Sequence, residues 1–373
     1  MAQTVSGRGD TTAASVGAAL AAVALVAASL RWTGAPATLL GQEFGSVAAA
    51  GLAVGAAAAF LARRYGFVGR SVGAPLAALL SAGVLGVAVF RLVWPVIDGG
   101  PEPSVGLGLV LAAAAGVAGI IAAVADFRAI PFEELAPMAT ASAWATFSGI
   151  AALLIGQVAG AVGIYLGFAL VGTGETTSTV FSTVGFGIGL LGYTALALRQ
   201  RGLGWDYVDI EWPSLRDVGY AIGGVVGLFV LLAVVSAVIQ GIGLPSTSSS
   251  IEDRAASMAN PEFLLALIPL SLLVIGPGEE LVYRNLVQKR LYERFSPVGA
   301  IVVASIIFAL VHIPQYALTS GGPVGVLTTL IIIFLLALFL GTLYYRTENV
   351  LVPAVVHGTF NAIQFAALYV TLA

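Results

Sequence analysis

Long apolar runs alternate with short polar breaks along the whole chain. Eleven runs stand out, at about 13–30, 45–62, 72–95, 105–125, 139–171, 180–198, 218–241, 262–278, 297–316, 323–345 and 350–371. A helix needs about 20 mostly apolar residues to cross a bilayer. The hydrocarbon offers no partners for backbone amides, so such runs fold as helices. The pattern predicts an all-α fold, a polytopic transmembrane helical bundle of about 11 spans. The fifth run is too long for one straight crossing, so it tilts or extends past the membrane. The eighth is short and ends at Gly276-Pro277-Gly278, a sequence expected to break or kink the helix. Glu279 and Glu280 then open a new helix, whose positive dipole end favours anions. Lys289, Arg290 and Arg294 occupy its last turns, and Ser296-Pro297 stops it. Val282, Leu286, Leu291 and Phe295 give it one apolar side, which lays the later turns along the cytoplasmic surface.

Composition agrees with a membrane protein. The 373 residues are 59% hydrophobic and 9% charged, against about 25% charged in a soluble domain. The Ala-rich run after the polar residues 1–12 reads as the first span rather than a signal peptide, because ten spans follow and the basic n-region is poor. A net charge of −3 gives no reason to expect nucleic acid as a partner. The absence of cysteine excludes disulfides, Cys-ligated zinc, iron–sulfur centres and thiol nucleophiles. Arginine far outnumbers lysine, of which Lys289 is the single example. With so much Ala, Gly and Val, this points to a GC-rich prokaryotic genome and a prokaryotic cell membrane.

Charge placement gives an orientation. With a cytoplasmic N-terminus, the inside segments hold Arg8, Arg63, Arg64, Arg70, Arg128, Arg199, Arg201, Arg216, Arg284, Lys289, Arg290, Arg294 and Arg346. The outside holds only Arg31 and Arg254, as the positive-inside rule demands. Arg91 lies inside a span near its end, beside Trp94, and is expected to snorkel to the interface.

Three regions follow. Residues 1–130 are accessory N-terminal spans with no identifiable chemistry. Residues 131–258 are linking spans and loops, and 259–373 form a catalytic core. Gly51 with Gly55, and Gly156 with Gly160, have a spacing that lets helices approach closely, in the bundle or at a dimer face. The sequence does not reveal an oligomeric state. Trp205 and Trp212 are expected to anchor at the interface. Residues 242–261 read as a flexible outside connector, with a lid or substrate gate as the alternative.

The chemistry-bearing groups fall in the last third. Glu280 and Arg284 are four apart on one helix face and can pair. Glu279 points about 100° away and is free to act as a general base. His312 and His357 are the only histidines, and Asn361 follows His357 by one turn. Polar groups inside a membrane face the bundle interior and pair with one another. Together they offer a base, a second proton-handling group and donors for a developing oxyanion. Glu279, His312 and His357 would equally offer a ligand set for Zn2+ with an open water position. The residues alone leave both chemistries open. A proton-relaying transporter is disfavoured, since the first half holds no counterpart of these groups.

Glu279-Glu280-x-x-x-Arg284, Phe308-x-x-x-His312 and His357-x-x-x-Asn361 resemble the three-motif pattern of the CPBP family. That family comprises type II CAAX prenyl endopeptidases and bacteriocin-processing or bacteriocin-immunity membrane proteases. Leu286-Val287-Gln288, Gly341-Thr342-Leu343-Tyr344-Tyr345-Arg346-Thr347 and Leu351-Val352-Pro353-Ala354 agree with it, over about residues 260–365. The resemblance implies an intramembrane endopeptidase of glutamate type, acting on a membrane protein or lipidated peptide among membrane lipids. It implies that Glu279 and His312 activate water, that His357 and Asn361 stabilise the oxyanion, and that Glu280 with Arg284 supports the site. No cofactor is then required. Zinc held by Glu279, His312 and His357 is one alternative, and a non-catalytic immunity or scaffold protein is another.

Overall fold

The computed structural model describes residues 11–30, 38–39, 42–97, 105–258, 261–316 and 322–372. Arg8 and Arg31 of the charge pattern lie outside them. Among the described residues ten helices are long and apolar enough to cross a membrane, and an eleventh apolar helix, Thr12–Ala28, is slightly shorter. The chain is a polytopic helical bundle and an integral membrane protein. It divides into two compact units, Met1–Pro137 and Met138–Ala373.

The first unit is built from α1 (Thr12–Ala28), α2 (Phe44–Arg64), α3 (Arg70–Ile97) and α4 (Leu107–Phe127). A two-residue antiparallel pair, β1 (Thr38–Leu39) with β2 (Gln42–Glu43), precedes α2. Each helix packs on its neighbour in sequence, and α1 closes the ring against α4. The interior is mostly alanine, with Ala24, Ala27, Ala49, Ala53, Ala88 and Ala112 buried. Lipid is as apolar as these side chains, so the helices associate through close van der Waals contact, which small residues permit. Arg63 Nε lies 3.1 Å from the buried Asp126 carboxylate. The stem of Arg91 lies against Gly45 at the start of α2.

The second unit contains α5 (Phe132–Leu170, entering the unit at Met138), α6 (Glu175–Gln200), α7 (Leu215–Gly241) and the short α8 (Ser250–Ala256). It continues with α9 (Phe263–Leu291), α10 (Pro297–Val311), the single turn α11 (Ile313–Tyr316), α12 (Gly322–Thr347) and α13 (Leu351–Leu372). Gly156 and Gly160 are packing positions here. A Cβ on Gly156 would stand 2.7 Å from the Phe186 ring, and one on Gly160 would stand 3.0 Å from the Ser182 carbonyl oxygen of α6.

The helix around Gly276-Pro277-Gly278 corrects the sequence expectation. It neither ends nor restarts there. Residues Ile275, Gly276, Glu280 and Leu281 all keep right-handed helical dihedrals, and one helix runs from Phe263 to Leu291. Wide π-turns occupy Ser271–Ile275 and Leu281–Gln288 on either side of the α-helical Gly276–Glu280. A proline ring clashes with the carbonyl four residues back and donates no hydrogen bond. The wider upstream turn absorbs Pro277 without a break. The turns that follow the glutamates are enclosed by protein. Every residue of Leu281–Gln288 is buried, packed among α6, α10 and α12.

The connector after α7 carries hydrogen bonds of its own. Ser249 caps α8, accepting from the Glu252 N–H while the Glu252 carboxylate accepts from the Ser249 N–H. The Thr247 N–H donates to Thr329 Oγ1 at 3.1 Å. Trp205 and Trp212 are both exposed, Trp212 at 98%.

Candidate active site

Two glycines bring the site together. A Cβ on Gly276 would stand 2.6 Å from the Ala354 carbonyl oxygen, and one on Gly358 would stand 2.6 Å from that of Ser271. Only hydrogen fits at either position, so α9 and α13 meet backbone to backbone. That contact sets the glutamates of α9 beside His357 of α13.

Glu280 is fully buried. Its Oε2 accepts from Arg284 Nε at 2.8 Å, and its Oε1 accepts from His357 Nδ1 at 2.9 Å. A carboxylate only accepts, so His357 carries its proton on Nδ1. The other ring nitrogen, Nε2, lies 4.0 Å from Glu279 Oε2. The helical spacing had assigned the two glutamates to separate directions. In the folded chain both carboxylates reach one imidazole, through different ring nitrogens.

Phe308 organises the remaining groups. Its ring lies 4.6 Å from the His312 ring, 6.0 Å from the His357 ring and 5.0 Å from that of Tyr283, centroid to centroid. The Arg284 guanidinium carbon is 5.2 Å from the same centroid. His312, which ends α10, has Nδ1 2.7 Å from the Phe308 carbonyl oxygen. That carbonyl can only accept, so Nδ1 carries the hydrogen and Nε2 keeps a free lone pair.

Glu279, His312, His357 and Asn361 all line one cavity of about 800 Å³ in the second unit. Glu279 Oε2 has no hydrogen-bond partner among the described residues. The fold thus gathers Glu279, Glu280, Arg284 and His357 by direct contact. It ties His312 to them through Phe308 and places Asn361 on the same cavity wall. The connector also contributes to this wall, through Thr247 and Ser249 to Glu252. Sequence spacing gave no sign that Gln157 of α5 and Gln364 of α13 would face it too.

The residues proposed to hold zinc can be tested for fit. His312 and His357 each use Nδ1, on a backbone carbonyl and on Glu280, which leaves Nε2 as the nitrogen each could offer a metal. Among the described residues no three His, Asp or Glu side chains gather closely enough to hold a metal ion. As placed, Glu279, His312 and His357 do not form a zinc ligand set.

Residues 261–363, from the start of α9 into α13, match the family model described as type II CAAX prenyl endopeptidase Rce1-like. This part of the chain is Rce1-like. No curated protein and no solved structure matches the chain. The Rce1-like match contains all six residues singled out in sequence, Glu279, Glu280, Arg284, His312, His357 and Asn361. It ends short of Gln364 and excludes the α1–α4 unit. The family described is one of membrane proteases, whose substrates are membrane-associated proteins.

Proposed function

We propose that the chain is an intramembrane endopeptidase cutting a membrane-associated, prenylated or otherwise lipidated protein or peptide near the cytoplasmic side of the bilayer, with its own N-terminus in the cytoplasm. The observation that supports this reading most is the chain of contacts Arg284–Glu280–His357–Glu279, ending at a carboxylate on the cavity wall.

The chemistry follows from these groups. Glu279 takes a proton from a water that His312 Nε2 orients, and the water oxygen attacks the scissile carbonyl carbon. The C=O electron pair moves onto oxygen, where Asn361 Nδ2–H and His357 Nε2–H donate to it. His357 then acts as an imidazolium. Two carboxylates, one guanidinium and one imidazolium sum to zero charge, which suits a group of ions buried together. When the intermediate collapses, the C–N bond breaks and Glu279 returns the proton to the leaving nitrogen. Glu280 touches neither substrate nor water; it fixes the orientation of His357 and balances its charge.

The test is cleavage of a farnesylated fluorogenic peptide by the full chain in liposomes. Wild type is expected to cleave it, and Glu279→Gln or His312→Ala to reduce the rate by at least about 10²-fold, the lower range for a general base. Undiminished cleavage by either variant overturns the assignment. A chelator arm addresses the zinc alternative: inhibition that added Zn2+ reverses would favour a metal-assisted reaction. Membrane effects that survive Glu279→Gln would favour the non-catalytic scaffold.

A further inference from the structure

Three glutamines that this chemistry does not use line the cavity, and one of them, Gln315, lies only three residues beyond His312. Gln157 projects from α5 and Gln364 from α13. Both are exposed to the cavity, and neither has a hydrogen-bond partner among the described residues. The wall mixes apolar side chains, among them Leu153, Ile164, Phe186 and Leu368, with hydroxyls such as Ser182 and Ser236. A polar side chain in a membrane interior is costly and serves a partner. Here two face one space from opposite elements.

Their depth can be read from the helices. Gln364 follows His357 by seven residues, about 10 Å along a helix that rises ~1.5 Å per residue. Gln157 follows Gly149 by eight, about 12 Å, and the Gly149 carbonyl oxygen accepts from the Tyr283 hydroxyl at 3.2 Å, next to the catalytic cluster. Both amides therefore lie at a similar distance, on the same side of the cluster as α13 runs toward its C-terminus.

A substrate peptide must be extended where it is cut, and its backbone N–H and C=O groups then lack the partners a helix supplies. In a cavity between membrane-spanning helices, leaving such groups unpaired is costly. A glutamine amide offers one acceptor and two donors, which matches a peptide unit. An extended chain advances ~3.3 Å per residue, so a reach of about 10 Å is three residues.

We propose that Gln157 and Gln364 form a backbone-binding subsite that holds the extended substrate about three residues from the scissile bond. The subsite recognises the peptide unit itself and is indifferent to side chains. It rests on the endopeptidase reading for the identity of the ligand as a peptide.

The experiment measures binding apart from turnover. A fluorescent prenylated heptapeptide is titrated against the full chain carrying Glu279→Gln in nanodiscs, alone and with Gln157→Met, Gln364→Met or both. Methionine keeps the length of the side chain and removes the amide. Both side chains face open cavity, so the fold and its melting temperature should not change. The double variant is expected to raise Kd about tenfold or more. A peptide with an ester in place of the amide at the third residue loses the N–H but keeps the carbonyl, so it should bind the parent more weakly than the normal peptide and lose less than the double variant does. Equal affinity in all variants, or no measurable peptide binding by the parent, overturns the subsite. Cleavage by the Glu279 form is read separately. No cleavage with amide-dependent binding refutes the protease reading and leaves the subsite standing. Normal cleavage with unchanged binding refutes the subsite alone.

Discussion

Glu280 holds His357 through a hydrogen bond of 2.9 Å between residues 77 positions apart in sequence. The same carboxylate neutralises Arg284, which is itself fully buried. One side chain thus couples charge balance within α9 to the orientation of an imidazole on α13.

Removing that charge should be costly. Glu280→Gln leaves the Arg284 guanidinium buried without a counter-charge, a change that costs about 3–5 kcal/mol. Glu279→Gln alters a group on the cavity wall and should leave stability close to wild type. Thermal melts of the two variants in detergent check this; equal melting temperatures would falsify the structural role of Glu280.

The α9–α13 contact should tolerate no side chain. Gly358→Val drives branched carbons into the Ser271 backbone, and overpacking of this kind costs about 1–3 kcal/mol. Activity should fall further than stability, because the two halves of the site move apart. Gly51 makes a control: a Cβ there meets nothing within 4 Å. Gly51→Ala in α2 should instead raise stability by up to about 1 kcal/mol through helix propensity. Melting curves and peptide turnover on the same preparations distinguish the two.

Phe308→Leu keeps the site apolar but removes the ring that touches His312, His357, Tyr283 and Arg284. Each aromatic contact contributes about 0.5–1.5 kcal/mol beyond area burial. We expect kcat to drop about tenfold or more, with a smaller change in KM, since the loss falls on the groups that handle protons rather than on substrate contact. A KM increase with unchanged kcat would contradict this.

Asp209 lies in the loop between α6 and α7. It accepts from Lys289 Nζ at 2.6 Å and from the Tyr344 hydroxyl at 2.5 Å. The Tyr344 hydroxyl in turn accepts from Asn285 Nδ2 at 3.2 Å. The ion pair is partly exposed and worth little by itself, but a charged hydrogen bond to Tyr344 contributes about 1.5–3 kcal/mol. Asp209→Ala should lower the melting temperature without changing kcat per folded molecule, as measured by active-site titration alongside turnover.

Much of the site was legible because its chemistry is sparse. A chain with two histidines and 9% charge leaves few groups able to move a proton, and those that exist stand out against apolar spans. The Glu280–Arg284 pair was readable because four residues is one helical turn. The second bond of Glu280, to His357, was not, because it depends on two helices meeting at Gly276 and Gly358. Gly276-Pro277-Gly278 misled for the same reason. Locally it reads as a helix breaker, whereas packing against α13 uses the first glycine and a π-turn accommodates the proline. Asp209, Gln157 and Gln364 carried no signal at all, since a lone polar residue does not announce what lies opposite it.

The sequence by itself determined that the chain is an all-α bundle of about eleven apolar helices, where they run, and which few residues could carry chemistry. Those properties follow from hydrophobicity and from the few charges lipid tolerates, both of which act residue by residue. The tertiary structure decided which groups meet: both glutamates at one imidazole, Phe308 between two histidines, and a cavity with unpaired amides. In lipid no hydrophobic force sorts helix pairs. Close packing at small residues and the pairing of buried polar groups choose the neighbours, and neither is visible until the helices are side by side.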